Sequence, residues 1–202
     1  MNLANAITVS RFPMLFVVSA LLYWPFPGAR TLAFFIYLAV GLTDWLDGYI
    51  ARRYAMVSNF GKFMDALSDK ILVLGLFVLF LTTGTLPKIF VFLVLLLLGR
   101  EFFITGLRLV AMSRNVVIAA EKSGKVKTLV QMVAIGSLIF AQMMGLEWNW
   151  FPFNSFFMLF FHLFGIALFL IGVYCALDSA VRYTRRYRYL FVNHEENKST
   201  NI

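Results

Sequence analysis

Four aspartates lie between residues 44 and 69, in "DWLDGYIARRYAMVSNFGKFMDALSD", within a chain that is otherwise mostly apolar. At about 100° per residue, Asp44, Asp47, Gly48, Ala51 and Arg52 share one helical stripe about 140° wide. Asp65 and Asp69 form an i, i+4 pair on the following segment, with Gly61 a further turn back on the same face. A short polar link makes the two segments antiparallel neighbours whose acidic faces can meet. Carboxylates gathered beside hydrocarbon repel one another, and each is costly to ionise unless a cation neutralises it. Arg52 can balance one of them but not all. An all-oxygen donor set with no histidine or cysteine nearby favours Mg2+ or Mn2+ over zinc, and two divalent ions sharing bridging aspartates is the sharper form of that expectation. The spacing also allows a solvated helix end, with the aspartates paired to Lys62, Arg53 and Lys70. Gly48 suits the close approach of a ligand or, equally, of a packed helix.

The elements that must position these groups are membrane helices. Of 202 residues, 61% are apolar and 14% charged, and the 23 phenylalanines are spread along the whole length. A soluble domain of this size could not hide so many large apolar side chains. The chain therefore reads as an all-α, polytopic membrane protein, since backbone groups in lipid must be satisfied within a helix. Six spans are expected, over roughly 10–25, 30–53, 61–81, 88–112, 127–145 and 152–177. Apolar segments continue past the first, which argues against a cleaved leader. Residues 113–126 read as a polar connector, residues 1–190 as a single catalytic domain and 191–202 as a polar tail.

The net charge of +8 points to anionic lipid and phosphate-bearing ligands rather than to nucleic acid. Arg52, Arg53, Lys62, Arg114, Lys122, Lys125, Lys127, Arg182, Arg185, Arg186 and Arg188 gather at one set of helix ends, against Arg30 and Lys88 at the other. The positive-inside rule then puts both termini and the charged stretch in the cytoplasm, which implies the inner membrane of a cell. "VRYTRRYRYLF" reads as a helix extension at the headgroups. Cys175 lies in an apolar run and reads as packing, as does His162; His194 sits in the tail.

The charged stretch resembles the signature of the CDP-alcohol phosphatidyltransferases, D-x2-D-G-x2-A-R-x8-G-x3-D-x3-D, with every fixed position matched. The resemblance implies a six-helix membrane enzyme in which Asp44 and Asp65 are shared by two Mg2+ or Mn2+ ions. Asp47 and Asp69 would complete the individual sites, and Asp69 would be the general base. It further implies that Gly48, Arg52 and Ser58 contact the CDP moiety of CDP-diacylglycerol, and that the protein is a homodimer. An Arg fork and divalent ions suit a diphosphate on physical grounds as well. "NLANAITVSR" resembles the family's N-x-P-N-x-x-T-x-x-R opening, with Asn5, Thr8 and Arg11 in place and Ala4 where proline is usual. Asn5 and Thr8 would help enclose the nucleotide, although Asn5 equally suits a helix cap.

Two further segments concern the acceptor. "GREFFITGLRLVAM" puts Arg100, Glu101 and Arg108 in or near the membrane, where ionisable residues are functional candidates; an Arg100–Glu101 structural pair is the plainer reading. "EKSGKVKT" supplies Lys125 and Lys127. Both resemble the phosphatidylglycerophosphate synthase branch of the family, which implies an acceptor that itself carries phosphate. The expected reaction is transfer of the phosphatidyl group of CDP-diacylglycerol to glycerol 3-phosphate, giving phosphatidylglycerophosphate and CMP in glycerophospholipid biosynthesis. Arg108 and Lys125, with Arg100 and Lys127 behind them, would hold the acceptor phosphate. The rivals are a sister enzyme using inositol phosphate, serine or phosphatidylglycerol, and a cation transporter using the aspartates as its ion site.

Overall fold

The computed structural model describes residues 3–24, 26–54, 59–113 and 122–187, with residues 3–12, 44–54, 59–66, 69, 113 and 122–125 described by their helical backbone alone. Six helices follow in order: α1 (Leu3–Tyr23), α2 (Ala29–Tyr54), α3 (Asn59–Thr82), α4 (Val91–Ser113), α5 (Lys122–Leu146) and α6 (Asn154–Tyr187), with one turn of 3-10 helix (Lys88–Phe90) leading into α4. Among the described residues, three segments are long and apolar enough to cross a membrane, Lys88–Met112, Val126–Leu146 and Asn154–Tyr187. Shorter apolar stretches occupy Pro13–Tyr23, Ala29–Thr43 and Lys70–Thr82. Phe16, Phe92, Phe102 and Phe156 stand on outer faces at 69%, 66%, 70% and 64% exposure. So much apolar surface suits lipid rather than water.

Turn chemistry sets the helix ends. Gly28 has φ 85°, a left-handed conformation that reverses the chain immediately before α2. Gly84 (φ 75°) does the same after α3, where the Leu86 N–H returns to the Phe80 carbonyl at 3.0 Å. Pro87 precedes the 3-10 turn; lacking an N–H, it costs nothing at a helix start.

α5 is the central helix, packing against α6 most extensively and also against α2 and α3. Ala134, Ile135, Leu138 and Ile139 on α5 are fully buried together with Phe77 and Phe80 of α3 and Phe169 of α6. The Phe77 and Phe169 rings meet edge to face at 4.7 Å. α5 and α6 approach so closely that a Cβ on Gly165 would lie 2.8 Å from Leu138 Cγ and 3.2 Å from the Ala134 carbonyl oxygen. Close backbone approach through small residues is how helices gain packing energy where lipid removes the hydrophobic drive. α1 packs against both α2 and α3, so α1 and α5 join those two helices among the described residues.

Two helices start earlier than the apolar spans expected from sequence. α1 begins at Leu3 rather than near 10 and α5 at Lys122 rather than near 127, while α6 runs unbroken to Tyr187, in line with the helix extension expected past the apolar span. Hydropathy marks where hydrocarbon ends, but a nucleated helix propagates past that point because each further residue adds a backbone hydrogen bond.

The opposite end of the bundle is closed by Glu147, just past α5. Its carboxylate accepts the backbone N–H groups of Arg30 at 2.7 Å and Thr31 at 2.8 Å, and the Thr31 hydroxyl at 2.7 Å. Trp148 Nε1 donates to the same hydroxyl at 3.1 Å. A distant carboxylate thus caps the first turn of α2, satisfying donors that have no partner within the helix. Partial burial pushes the Glu147 carboxyl up, but the Thr31 hydroxyl and the Arg30 and Thr31 amides outweigh it and hold it below its ordinary value. A carboxyl depressed by folding stabilises the fold above its ordinary value of 4.5, and that stabilisation is lost as pH falls through the folded value. Glu147→Ala is expected to destabilise the protein by about 1–2 kcal/mol. Melting in detergent micelles should show a flatter decline below pH 4.5 for the variant than for the native chain; parallel pH profiles would remove the cap from this role.

Candidate active site

The carboxylate-bearing segments are helical. Asp44, Asp47, Gly48 and Arg52 lie on the last part of α2, and Asp65 and Asp69 on the first part of α3. Asn5 and Thr8 are on the first turns of α1, and Lys125 on the first turn of α5. The side chains of all these residues, and Ser58 altogether, lie outside the described residues. Of the sequence-predicted site residues, Arg100, Arg108 and Lys127 are described in full, and the structure gathers them beside the start of the apolar part of α3.

Glu101 is the centre of that cluster. Arg100 Nη1 donates to its Oε1 at 2.8 Å, Lys127 Nζ donates to the same oxygen, and Lys70 Nζ stands 3.8 Å from Oε2. Lys70 also donates to the Thr105 hydroxyl at 2.5 Å, which in turn donates to the Glu101 carbonyl at 2.8 Å. One carboxylate therefore ties α3, α4 and α5 together. The cluster is largely shielded, with Arg100, Glu101 and Lys127 side chains 9%, 12% and 7% exposed and Lys70 33%.

α6 completes it. Arg100 Nε donates to the Ala176 carbonyl at 3.1 Å and Nη2 to the Ser179 hydroxyl at 3.2 Å, so this guanidinium is occupied with helix pairing. Arg108 Nη2 donates to the Tyr183 hydroxyl at 3.3 Å, and its Cζ lies 5.7 Å from the centre of the Tyr183 ring. The buried Arg108 Nε has no hydrogen-bond partner among the described residues; the only other such side-chain atom is Arg30 Nε at the far end of the bundle. A guanidinium held at one nitrogen with another donor unmet is ready for an oxyanion.

Charge makes the same point. Among the described side chains of this cluster, Glu101 is the one carboxylate facing Lys70, Arg100 and Lys127, and Arg108 contacts the Tyr183 hydroxyl instead. Excess positive charge in a half-dry setting favours an anionic ligand. Sequence reading found the arginines and Lys127 but not Thr105, Ser179 or Tyr183. Their signal was the i, i+4 spacing of Ser179 and Tyr183 on the extended α6, which does not say which helix that face meets.

The family model for CDP-alcohol phosphatidyltransferase matches residues 1–176. The chain is 34% identical to a CDP-diacylglycerol–glycerol-3-phosphate 3-phosphatidyltransferase of Bacillus subtilis, over 68% of this chain and 76% of that protein. It is 35% identical to the protein of that name in Rickettsia bellii, over 68% of this chain and 75% of the relative. A probable phosphatidylglycerophosphate synthase of Mycobacterium tuberculosis is 38% identical, over 68% of this chain and 66% of its own length.

Removing the shared carboxylate should be far more damaging than breaking a surface pair. Glu101→Ala leaves shielded cations without a counter-charge and is expected to cost about 3–5 kcal/mol. Asp178→Ala breaks the pair with Arg182, at 2.6 Å but 55% and 38% exposed. That loss should stay within about 1 kcal/mol. Equal losses in reversible denaturation from micelles would contradict a central role for Glu101.

Proposed function

The chain belongs to the CDP-alcohol phosphatidyltransferase family, and on that premise we propose that it transfers the phosphatidyl group of CDP-diacylglycerol to glycerol 3-phosphate, releasing CMP. The observation that carries the choice of acceptor is the cationic cluster around Glu101 and Arg108. An acceptor bearing its own phosphate supplies negative charge to match the cations among the described side chains of that cluster, whereas serine does not. The printed names of the relatives favour glycerol 3-phosphate over an inositol phosphate.

Arg108 and Lys125 hold the acceptor phosphate in this reading, with Arg100 and Lys127 behind them. Arg108 is supported by its unmet Nε–H, and Lys125 by its place two residues before Lys127 at the start of α5. Asn5, Thr8, Gly48, Arg52 and Ser58 receive the CDP moiety. Asp44, Asp47, Asp65 and Asp69, carried by two helices that share α1 and α5 as neighbours, form an all-oxygen donor set that fits a pair of Mg2+ or Mn2+ ions. Bound there, such ions supply stabilisation of negative charge on the diphosphate and on the departing CMP oxygen. Asp69 accepts the proton of the acceptor hydroxyl as its oxygen bonds to the phosphorus that carries the diacylglycerol. The bond from that phosphorus to the bridging oxygen breaks, and the electron pair leaves with CMP. No covalent enzyme intermediate is required.

In the same reading all six helices span the inner membrane, and residues 1–190 act as a single catalytic domain. The termini and the end bearing Asp44 to Asp69 are cytoplasmic, where the positive-inside excess of Arg182, Arg185 and Arg186 also meets anionic lipid. The family resemblance supports a homodimer.

Purified protein with CDP-diacylglycerol and Mg2+ should release CMP with glycerol 3-phosphate, and much less with serine, inositol phosphate or phosphatidylglycerol. Activity with serine and none with glycerol 3-phosphate would sink the assignment. Chelation by EDTA should abolish turnover and added Mg2+ or Mn2+ restore it. Asp69→Asn is expected to lower kcat by about 100-fold or more while donor binding persists. Lys125→Ala should raise the KM for glycerol 3-phosphate about tenfold, the value of one charge-assisted hydrogen bond; an unchanged KM would take Lys125 out of the acceptor site.

A further inference from the structure

Tyr183 lies among basic residues near the end of α6, yet is only 2% exposed. It is buried against Ile104 and Leu107 of α4, with Ala180 and Tyr187 completing the small cluster. Burial of a tyrosine at this depth normally requires a partner for its hydroxyl. Here that oxygen accepts from Arg108 Nη2 at 3.3 Å, while the ring stands 5.7 Å from the guanidinium carbon. Two contacts of different kinds therefore fix the same cation.

The choice of partner has a chemical consequence. Arg100 and Lys127 are both paired to the Glu101 carboxylate, which cancels much of their charge. Arg108 is held by a neutral hydroxyl and an aromatic face, which restrain a guanidinium without neutralising it. Its buried Nε–H remains unmatched among the described residues. A carboxylate in the place of Tyr183 would compete with any incoming anion, whereas a tyrosine does not.

Ser179, one turn before Tyr183, accepts from Arg100 at 3.2 Å, so the same face of α6 steadies both arginines of α4.

We propose that Tyr183 is a positioning residue for the acceptor phosphate, aiming Arg108 while leaving its charge intact. The inference rests on the reading of Arg108 as a phosphate ligand. Tyr183→Phe keeps the ring and loses the hydroxyl; Tyr183→Leu loses both. The first should raise the acceptor KM about fivefold and the second about twentyfold, with the KM for CDP-diacylglycerol within about twofold of the native value. A merely structural role would move both KM values together or lower the melting temperature without separating them. Either that result or an acceptor KM unchanged in both variants would overturn the proposal. Native protein assayed alongside separates the two readings. Failure of native protein to use glycerol 3-phosphate defeats the functional assignment. The variants are then compared on inositol phosphate, where a selectively raised KM upholds the role of Tyr183, whereas native activity confined to acceptors without a phosphate monoester overturns it. Native protein that releases CMP with no acceptor overturns both.

Discussion

A carboxylate shared by several cations inside an apolar bundle is the constraint around which this protein is organised. In hydrocarbon or at its edge, an unpaired charge costs several kcal/mol, on the order of the whole stability of a small domain. Glu101 answers that cost for Arg100, Lys127 and Lys70 together, and each of those comes from a different place on three helices. α3, α4 and α5 cannot slide past one another without separating a pair. The chemistry at this end therefore sits on a register fixed by electrostatics as well as packing.

Packing supplies the rest of the rigidity. Gly165 and Gly172 let α6 lie so close to α5 that a Cβ at either would fall within 3.0 Å of a side chain of α5. The carbonyl of Ala176 and the hydroxyl of Ser179 then lie within reach of Arg100. Further along the same face, Tyr183 meets Arg108. A helix that reads as a simple lipid-facing span in its first half is, in its second half, the backing of a cationic site.

The two ends of the bundle meet the same problem in different ways. At the Glu147 end, negative charge is matched to a helix N-terminus, whose amides are fixed and carry no counter-ion requirement. At the Glu101 end, cations exceed carboxylates among the described side chains, and the surplus is left to a ligand. The first arrangement is closed and structural. The second, among the described side chains, holds more cations than carboxylates.

The sequence by itself determined the class and the reaction type. Apolar runs near the length of a bilayer dictate helices, because lipid offers no other partner for the backbone. Asp44 through Asp69 stood out because their spacing is local and periodic and matches every fixed position of the family signature. Arg108 and Lys127 stood out as ionisable residues in or beside apolar segments. What joined them was beyond reach of any local pattern. Glu101 and Lys127 are 26 residues apart, Arg108 and Tyr183 are 75, and Thr31 and Glu147 are 116. Local periodicity reveals which face a residue occupies, but not which helix that face meets. That was decided by the tertiary structure, through the close α5–α6 contact at Gly165 and the packing of the extended α6 against α4. Only there did a tyrosine in a basic tail become the partner of an arginine on another helix.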